Sequence, residues 1–281
     1  MYDDGEARWP RLPGGLETRR ARQACAGRRA WLAKTAMTQP DQEPERKAAP
    51  KKKKKRKKPP HIAADLATAE GRRRAQLEMV LGDHGFLREG FQNLHQISPE
   101  MWRSNQPNPR QVAEHARARG IKTIINLRGE STKGYYLLEK EACEAVGIKL
   151  VDFQVFSRDT PTVERIEAAR NLFETIEYPA LMHCKSGADR AGLMSAFYMI
   201  FRQGMPVEKA LKQLSGRYLH VKSGKTGMLD AFFEAYLDSS RETGKDFMAW
   251  VKDDYDRDAV KADFLRKRRG RISFDRILRR E

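Results

Sequence analysis

The stretch Pro179-Ala180-Leu181-Met182-His183-Cys184-Lys185-Ser186-Gly187-Ala188-Asp189-Arg190-Ala191-Gly192 decides the reading of this chain. Its first six residues form a short strand-like run, and Ala191 to Arg202 reads as a helix, so a tight loop joins strand to helix. In that arrangement the loop N–H groups and the helix N-terminus point at one spot, which favours a doubly charged oxyanion and also a thiolate over a thiol. Cys184 stands at that spot. Arg190, six residues on, returns to the mouth of the loop, where a guanidinium can take two oxygens of a phosphate bidentately. Gly187 allows the backbone to turn an N–H inward, and His183 suits holding the loop by a backbone hydrogen bond better than acting as a base.

Upstream, two further β-prone runs, Lys122 to Leu127 and Ile148 to Phe153, alternate with helix candidates at Gln111 to Arg119, Tyr135 to Val146 and Val163 to Ile176. Strand and helix in alternation predict an α/β fold, a central mostly parallel sheet flanked by helices on both faces. Downstream the chain reads helical at Val207 to Leu214, Thr226 to Asp238 and Lys245 to Asp254, and a further helix is expected within Ile62 to Leu81.

The 281 residues carry a net charge of +17, unevenly placed. Residues 1–60 hold 18 basic and 7 acidic side chains and residues 257–281 hold 10 and 4, which leaves the middle neutral. The expected organisation is a disordered basic arm over 1–60, a linker or helix over 61–85, a catalytic domain over 86–240 and a helical basic extension over 241–281. Three cysteines at unrelated spacings, Cys25, Cys143 and Cys184, make neither a disulfide framework nor a CxxC metal site and imply a reducing compartment. Cys143 reads as a core-facing helix residue. No apolar run reaches the roughly 20 residues that span a bilayer, so the expectation is a cytoplasmic protein.

The pattern HCxxGxxRxG at 183–192 resembles the active-site loop of the cysteine-dependent protein tyrosine and dual-specificity phosphatases. Trp102 to Pro107, Ile124 to Glu130 and Gln213-Leu214-Ser215 are similar to the compact atypical dual-specificity members. The resemblance covers about Phe86 to Leu237 and implies a protein tyrosine phosphatase-like fold and a metal-independent phosphomonoester hydrolase, with no cofactor. Cys184 would attack phosphorus to give a phosphocysteine, which water hydrolyses. It also implies an aspartic acid on a loop as proton donor to the leaving group. Asp159, 25 residues before Cys184 in a polar loop, is favoured over Asp152, 32 before and inside a strand pattern. Asp159 before Thr160-Pro161 also suits a helix N-cap. One departure is Ala191, where the family mostly has Ser or Thr to hydrogen-bond the sulfur. Slow breakdown of the phosphoenzyme is expected, unless Ser186 or Ser195 substitutes.

The substrate-binding set is then Lys185, Ser186, Gly187, Ala188 and Asp189 of the loop, with Arg128 at the end of a sheet strand. Lys185 beside the nucleophile resembles the HCK loops of phosphoinositide and inositol-phosphate phosphatases, although Asp189 offsets its charge or pairs with it on the rim. Arg158 is a further cation beside the acid loop, and Arg217 to His220 is a segment that can return to the pocket. The expected partner is a phosphorylated protein or a polyphosphorylated small molecule or lipid. The alternatives are a phosphoinositide or inositol-phosphate phosphatase, or a weakly active phosphate-binding adaptor. The run Lys51–Lys58 reads as a solvated arm, an import signal, a nucleic acid contact or an anchor at an anionic membrane surface, which would place the protein peripherally at a membrane. With few interleaved aromatics, no specific nucleic acid recognition is expected.

Overall fold

The coordinates, a computed structural model, describe residues 62–278. The expectations for residues 1–60, Lys51–Lys58 and Cys25 included, lie outside them. Five strands, β1 (His95–Ser98), β2 (Met101–Asn105), β3 (Thr123–Asn126), β4 (Lys149–Asp152) and β5 (Ala180–Cys184), form one sheet in the order β1-β2-β5-β3-β4. Only the β1–β2 pair is antiparallel. The mostly parallel sheet expected from the sequence is therefore present, with the run ending in Cys184 as its central strand. All five residues of β5 are buried, as a strand covered on both faces requires.

The helices are α1 (Ala69–Leu77), continued by a π-helical turn at Glu78–Gly82, α2 (Phe86–Glu89), α3 (Pro109–Arg119), α4 (Gly134–Ala145), α5 (Val163–Thr175), α6 (Asp189–Phe201), α7 (Val207–Ala210), α8 (Met228–Thr243), α9 (Phe247–Asp253) and α10 (Arg257–Leu278). The two-residue period of the strands divides them between the faces. Ile124 and Leu181 turn to one side and pack with Val112 of α3 and Cys143 of α4. Ile125 and Met182 turn to the other and pack with residues of α5, α6, α8 and α9. Burial pushes the Cys143 thiol up from its ordinary range, consistent with a core residue.

Local signals explain the ends of these elements. Asn108 caps α3 by accepting from Gln111 N at 2.9 Å while Gln111 Oε1 accepts from Asn108 N, and Gly120 closes the helix in the left-handed region at φ 61°. α1 lies against α4 so closely that a Cβ on Gly134 would meet the Ala75 backbone. Two expectations shift. The helix anticipated from Ile62 starts only at Ala69, where Thr68 accepts from Gly71 N, and Val207 to Leu214 is a short α-helix followed by a 3-10 turn at Leu211–Gln213. The strands β1 and β2 lack a plain alternating pattern and were not anticipated. Among the described residues no helix is long and apolar enough to cross a membrane.

Candidate active site

Parallel strands deliver their carboxyl ends to one edge, and there β5 ends at Cys184, paired in register with Asn105 of β2. Cys184 is a free thiol, 2% exposed. The loop that follows is fixed from outside, carbonyl by carbonyl. Lys185 O lies 3.5 Å from Gln106 N, and Ser186 O accepts from Asn93 Nδ2 at 2.9 Å. Gly187 O and Ala188 O both accept from Arg103 Nη2, at 2.7 and 2.9 Å. In a trans peptide the N–H points opposite to the C=O. Tying four successive carbonyls outward therefore turns the N–H groups of residues 186–189 inward, which is the geometry of an oxyanion cradle.

Arg103 is wholly buried on β2 and has four such bonds, its Nη1 donating to Gln213 O and Oε1 at 2.8 and 2.9 Å. Its guanidinium lies 4.1 Å over the Tyr218 ring. Burial lowers Arg103 to about 10, against the pull of Cys184, Tyr218 and Asp189, so it stays cationic at neutral pH near Cys184. Two glycines of the signature follow from the same packing. Gly187 has φ 72°, and a Cβ there would meet the Ser104–Asn105 backbone at 2.8 Å; a Cβ on Gly192 would meet Leu214 and Gln213.

Asp189 opens α6 and its carboxylate bonds His220 Nδ1 at 2.7 Å, while His220 Nε2 bonds Asp230 of α8 at the same distance. Burial alone would lower His220, but these two hydrogen bonds and charges outweigh it and lift the ring to about 9. The segment Arg217 to His220 thus does return to the loop. The Lys185–Asp189 pair, the alternative to a simple charge offset, is not formed, because each residue has another partner. His183 also departs from the backbone role expected of its ring: its Nε2 lies 2.7 Å from Glu139 Oε1, and Glu139 Oε2 accepts from Gln106.

Arg190 lines an open depression together with Val155, Phe156, Ser157, Arg158 and Asp159. The loop after β4 therefore brings Asp159 to the same hollow as Arg190. Both Asp159 oxygens are engaged, however, by Arg257 Nη2 at 2.5 Å and Lys261 Nζ at 3.1 Å of α10. Asp152 is occupied elsewhere, accepting from Tyr136 OH at 2.6 Å and Asn126 Nδ2 at 2.7 Å. Of the remaining sequence candidates, Ser186 is exposed, and Ser195 cannot stand in for a hydroxyl at Ala191 because its Oγ donates to Ala191 O at 2.6 Å.

Arg128 does not stand open at the mouth. Its two terminal nitrogens grip Asp83 at 2.8 Å each, its plane stacks on Tyr135 at 3.5 Å, and Gln106 Oε1 takes a further bond. Lys185 Nζ lies 3.4 Å from the same Asp83 carboxylate. Sequence reasoning missed Asn93, Arg103, Glu139 and Asp83. Arg103 alone had a usable signal, a basic residue inside the Trp102 to Pro107 stretch that carries the family resemblance.

Parts of the chain are similar to known proteins. The dual specificity protein phosphatase TpbA of Pseudomonas aeruginosa is 31% identical over 123 residues, 43% of this chain and 53% of TpbA, so the chain spans about half the length of the curated relatives it matches. The crystal structure of P. aeruginosa TpbA superposes with a TM-score of 0.42 at 22% identity, over 62% of this chain and 91% of that one. Tk-PTP in its active form gives 0.42 at 19% identity, over 52% and 98%. The family model described as a DSP-PTPase phosphatase fused to NAD+ kinase matches residues 89–231. That span is just over half of the chain and takes in the Cys184 loop with Asn93, Arg103, Gln213 and His220 around it, and the protein accordingly belongs to this family of dual-specificity-type phosphatases.

Proposed function

We propose that the chain hydrolyses phosphate monoesters of proteins through a phosphocysteine on Cys184. The observation that carries this reading is the outward tying of four loop carbonyls around a buried free thiol, which leaves their N–H groups to converge on a phosphate above the sulfur. In the proposed reaction the Cys184 thiolate forms the S–P bond as the P–O bond of the ester breaks. Arg190 takes two of the equatorial oxygens, and Lys185 to Asp189 bind through their backbone. Asp159 gives a proton to the departing oxygen and then takes one from the water that cleaves S–P. For the first of these steps Asp159 must leave Arg257 and Lys261, so the acid loop has to move between states. With Ala191 lacking a hydroxyl and Ser195 held by Ala191 O, breakdown of the phosphocysteine is the slow step.

The test is phosphate release from an aryl phosphate, a phosphotyrosyl peptide and a phosphothreonyl peptide, in the presence of chelator. Turnover by the wild type that disappears in Cys184→Ser supports the reading, and turnover that survives the substitution sinks it. Peripheral attraction of the Lys51–Lys58 run to an anionic membrane is proposed from charge alone, at about 1 kcal/mol per cation near the surface. Salt-sensitive co-sedimentation with anionic vesicles checks it, and sedimentation no greater than with neutral vesicles rejects it.

A further inference from the structure

Asp83 lies outside the family match, between the π-helical turn at 78–82 and α2, yet its carboxylate reaches the edge of the phosphate loop. It is 6% exposed and gathers three cations. Arg128 binds both oxygens at 2.8 Å, Arg88 Nη2 binds Oδ2 at 2.8 Å, and Lys185 Nζ approaches Oδ1 at 3.4 Å. Lys185 is the residue after Cys184 and remains 43% exposed, so this carboxylate fills the anion position of a cation that the phosphate loop itself presents. Burial alone would raise the Asp83 pKa, but the bond to Arg128 and the charges of Arg128, Arg88 and Lys185 hold it below the ordinary range.

A bidentate guanidinium and a lysine converging on one point are the recognition chemistry of a second phosphate. We propose that Asp83 is a specificity-determining residue that occupies this position from within, so that the site takes singly phosphorylated substrates and turns away those with a neighbouring second phosphate. An incoming dianion would have to displace a buried carboxylate and meet its repulsion, whereas a lone phosphate needs only the loop N–H groups and Arg190. The inference rests on the phosphatase reading above and narrows it against the polyphosphorylated lipid and inositol alternatives.

The test compares kcat/KM on phenyl phosphate with kcat/KM on an inositol bisphosphate bearing adjacent phosphates. Wild-type turnover of phenyl phosphate establishes the parent reading first, and its absence would condemn that reading rather than this one. Asp83→Asn is expected to raise the bisphosphate to monophosphate ratio by about tenfold or more, with the gain shrinking at high salt, while Asp83→Glu keeps a ratio close to wild type. An unchanged ratio in folded Asp83→Asn overturns the proposal. The double variant Asp83→Asn/Arg88→Gln removes one cation together with the anion and gives the same readout should the single variant fail to fold. The wild type supplies an independent check: its KM for the bisphosphate should be no lower than for the monoester, and a KM that is tenfold lower at low salt overturns the proposal.

Discussion

The phosphate loop and the acid loop face one another across the same hollow but are held in opposite ways. The phosphate loop is tied by Asn93, Gln106 and the wholly buried Arg103, and its helix start by His220, all within the span shared with the family. The acid loop is held by α10, beyond that span: Arg257 and Lys261 grip Asp159, Arg257 Nε donates to Thr160 O at 3.0 Å, and Tyr255 OH donates to Pro161 O at 2.8 Å. Tyr255 is itself anchored in the core against Phe232 and Trp250. The ion pairs are a third exposed, so salt and solvent screen them. A buried, hydrogen-bonded frame keeps N–H groups aimed without reorganisation, whereas exposed pairs let a loop open and close. In the proposed mechanism the difference places preorganisation on one side of the hollow and movement on the other.

The largest effect that sharpens this contrast is expected for Arg103→Met. Losing the group that turns the Gly187 and Ala188 carbonyls outward should lower kcat/KM by about 10²- to 10³-fold, the scale of a lost oxyanion donor. It should also cost at least about 2 kcal/mol of stability in unsatisfied buried carbonyls. Steady-state kinetics below the melting transition, with denaturant unfolding beside it, checks both; near-wild-type kcat/KM would break the claim that the loop is held from β2.

An intermediate effect follows from His220, whose folded value of about 9 exceeds the ordinary 6.5. The stability that the cation contributes between Asp189 and Asp230 is full below about pH 6.5 and is lost as pH rises through about 9. Thermal melting from pH 6 to 10 should fall further for the wild type than for His220→Gln, and parallel curves would remove His220 from the frame. The smallest effect is expected on the other side. Arg257→Ala/Lys261→Ala should change stability by no more than about 1 kcal/mol and raise kcat/KM at neutral pH by up to about fivefold, a gain that high salt erases, while kcat, set by phosphocysteine breakdown, stays near wild type. A tenfold fall in kcat/KM would mean instead that α10 holds the loop after β4 in its working position.

Much of the fold was legible because its deciding element is local. The run into Cys184, the loop and the helix after it sit within Pro179 to Arg202, and β3 and β4 announce themselves as short β-prone runs between helices. β1 and β2 were not legible, since His95–Ser98 is a short polar edge and Met101–Asn105 buries Arg103, Ser104 and Asn105, which break the apolar pattern. The candidate nucleophile and the residues of the loop stand together in the signature. Their support does not, because Arg103 meets Gly187 and Gln213 across 84 and 110 residues, and Asp83 meets Arg128 across 45. No periodicity encodes such pairings. For the same reason Arg128 and Lys185 read as open cations at the mouth, while the fold supplies Asp83 to meet them both.

The most direct test of the account is to quench the wild-type enzyme with denaturant during turnover of a phosphotyrosyl peptide and map phosphate by mass spectrometry. Phosphate on the peptide containing Cys184, rising in a burst before steady state because Ala191 offers the sulfur no hydroxyl, and absent from Cys184→Ser, is the expected result. Sustained turnover with no phosphate ever found on Cys184 would contradict it.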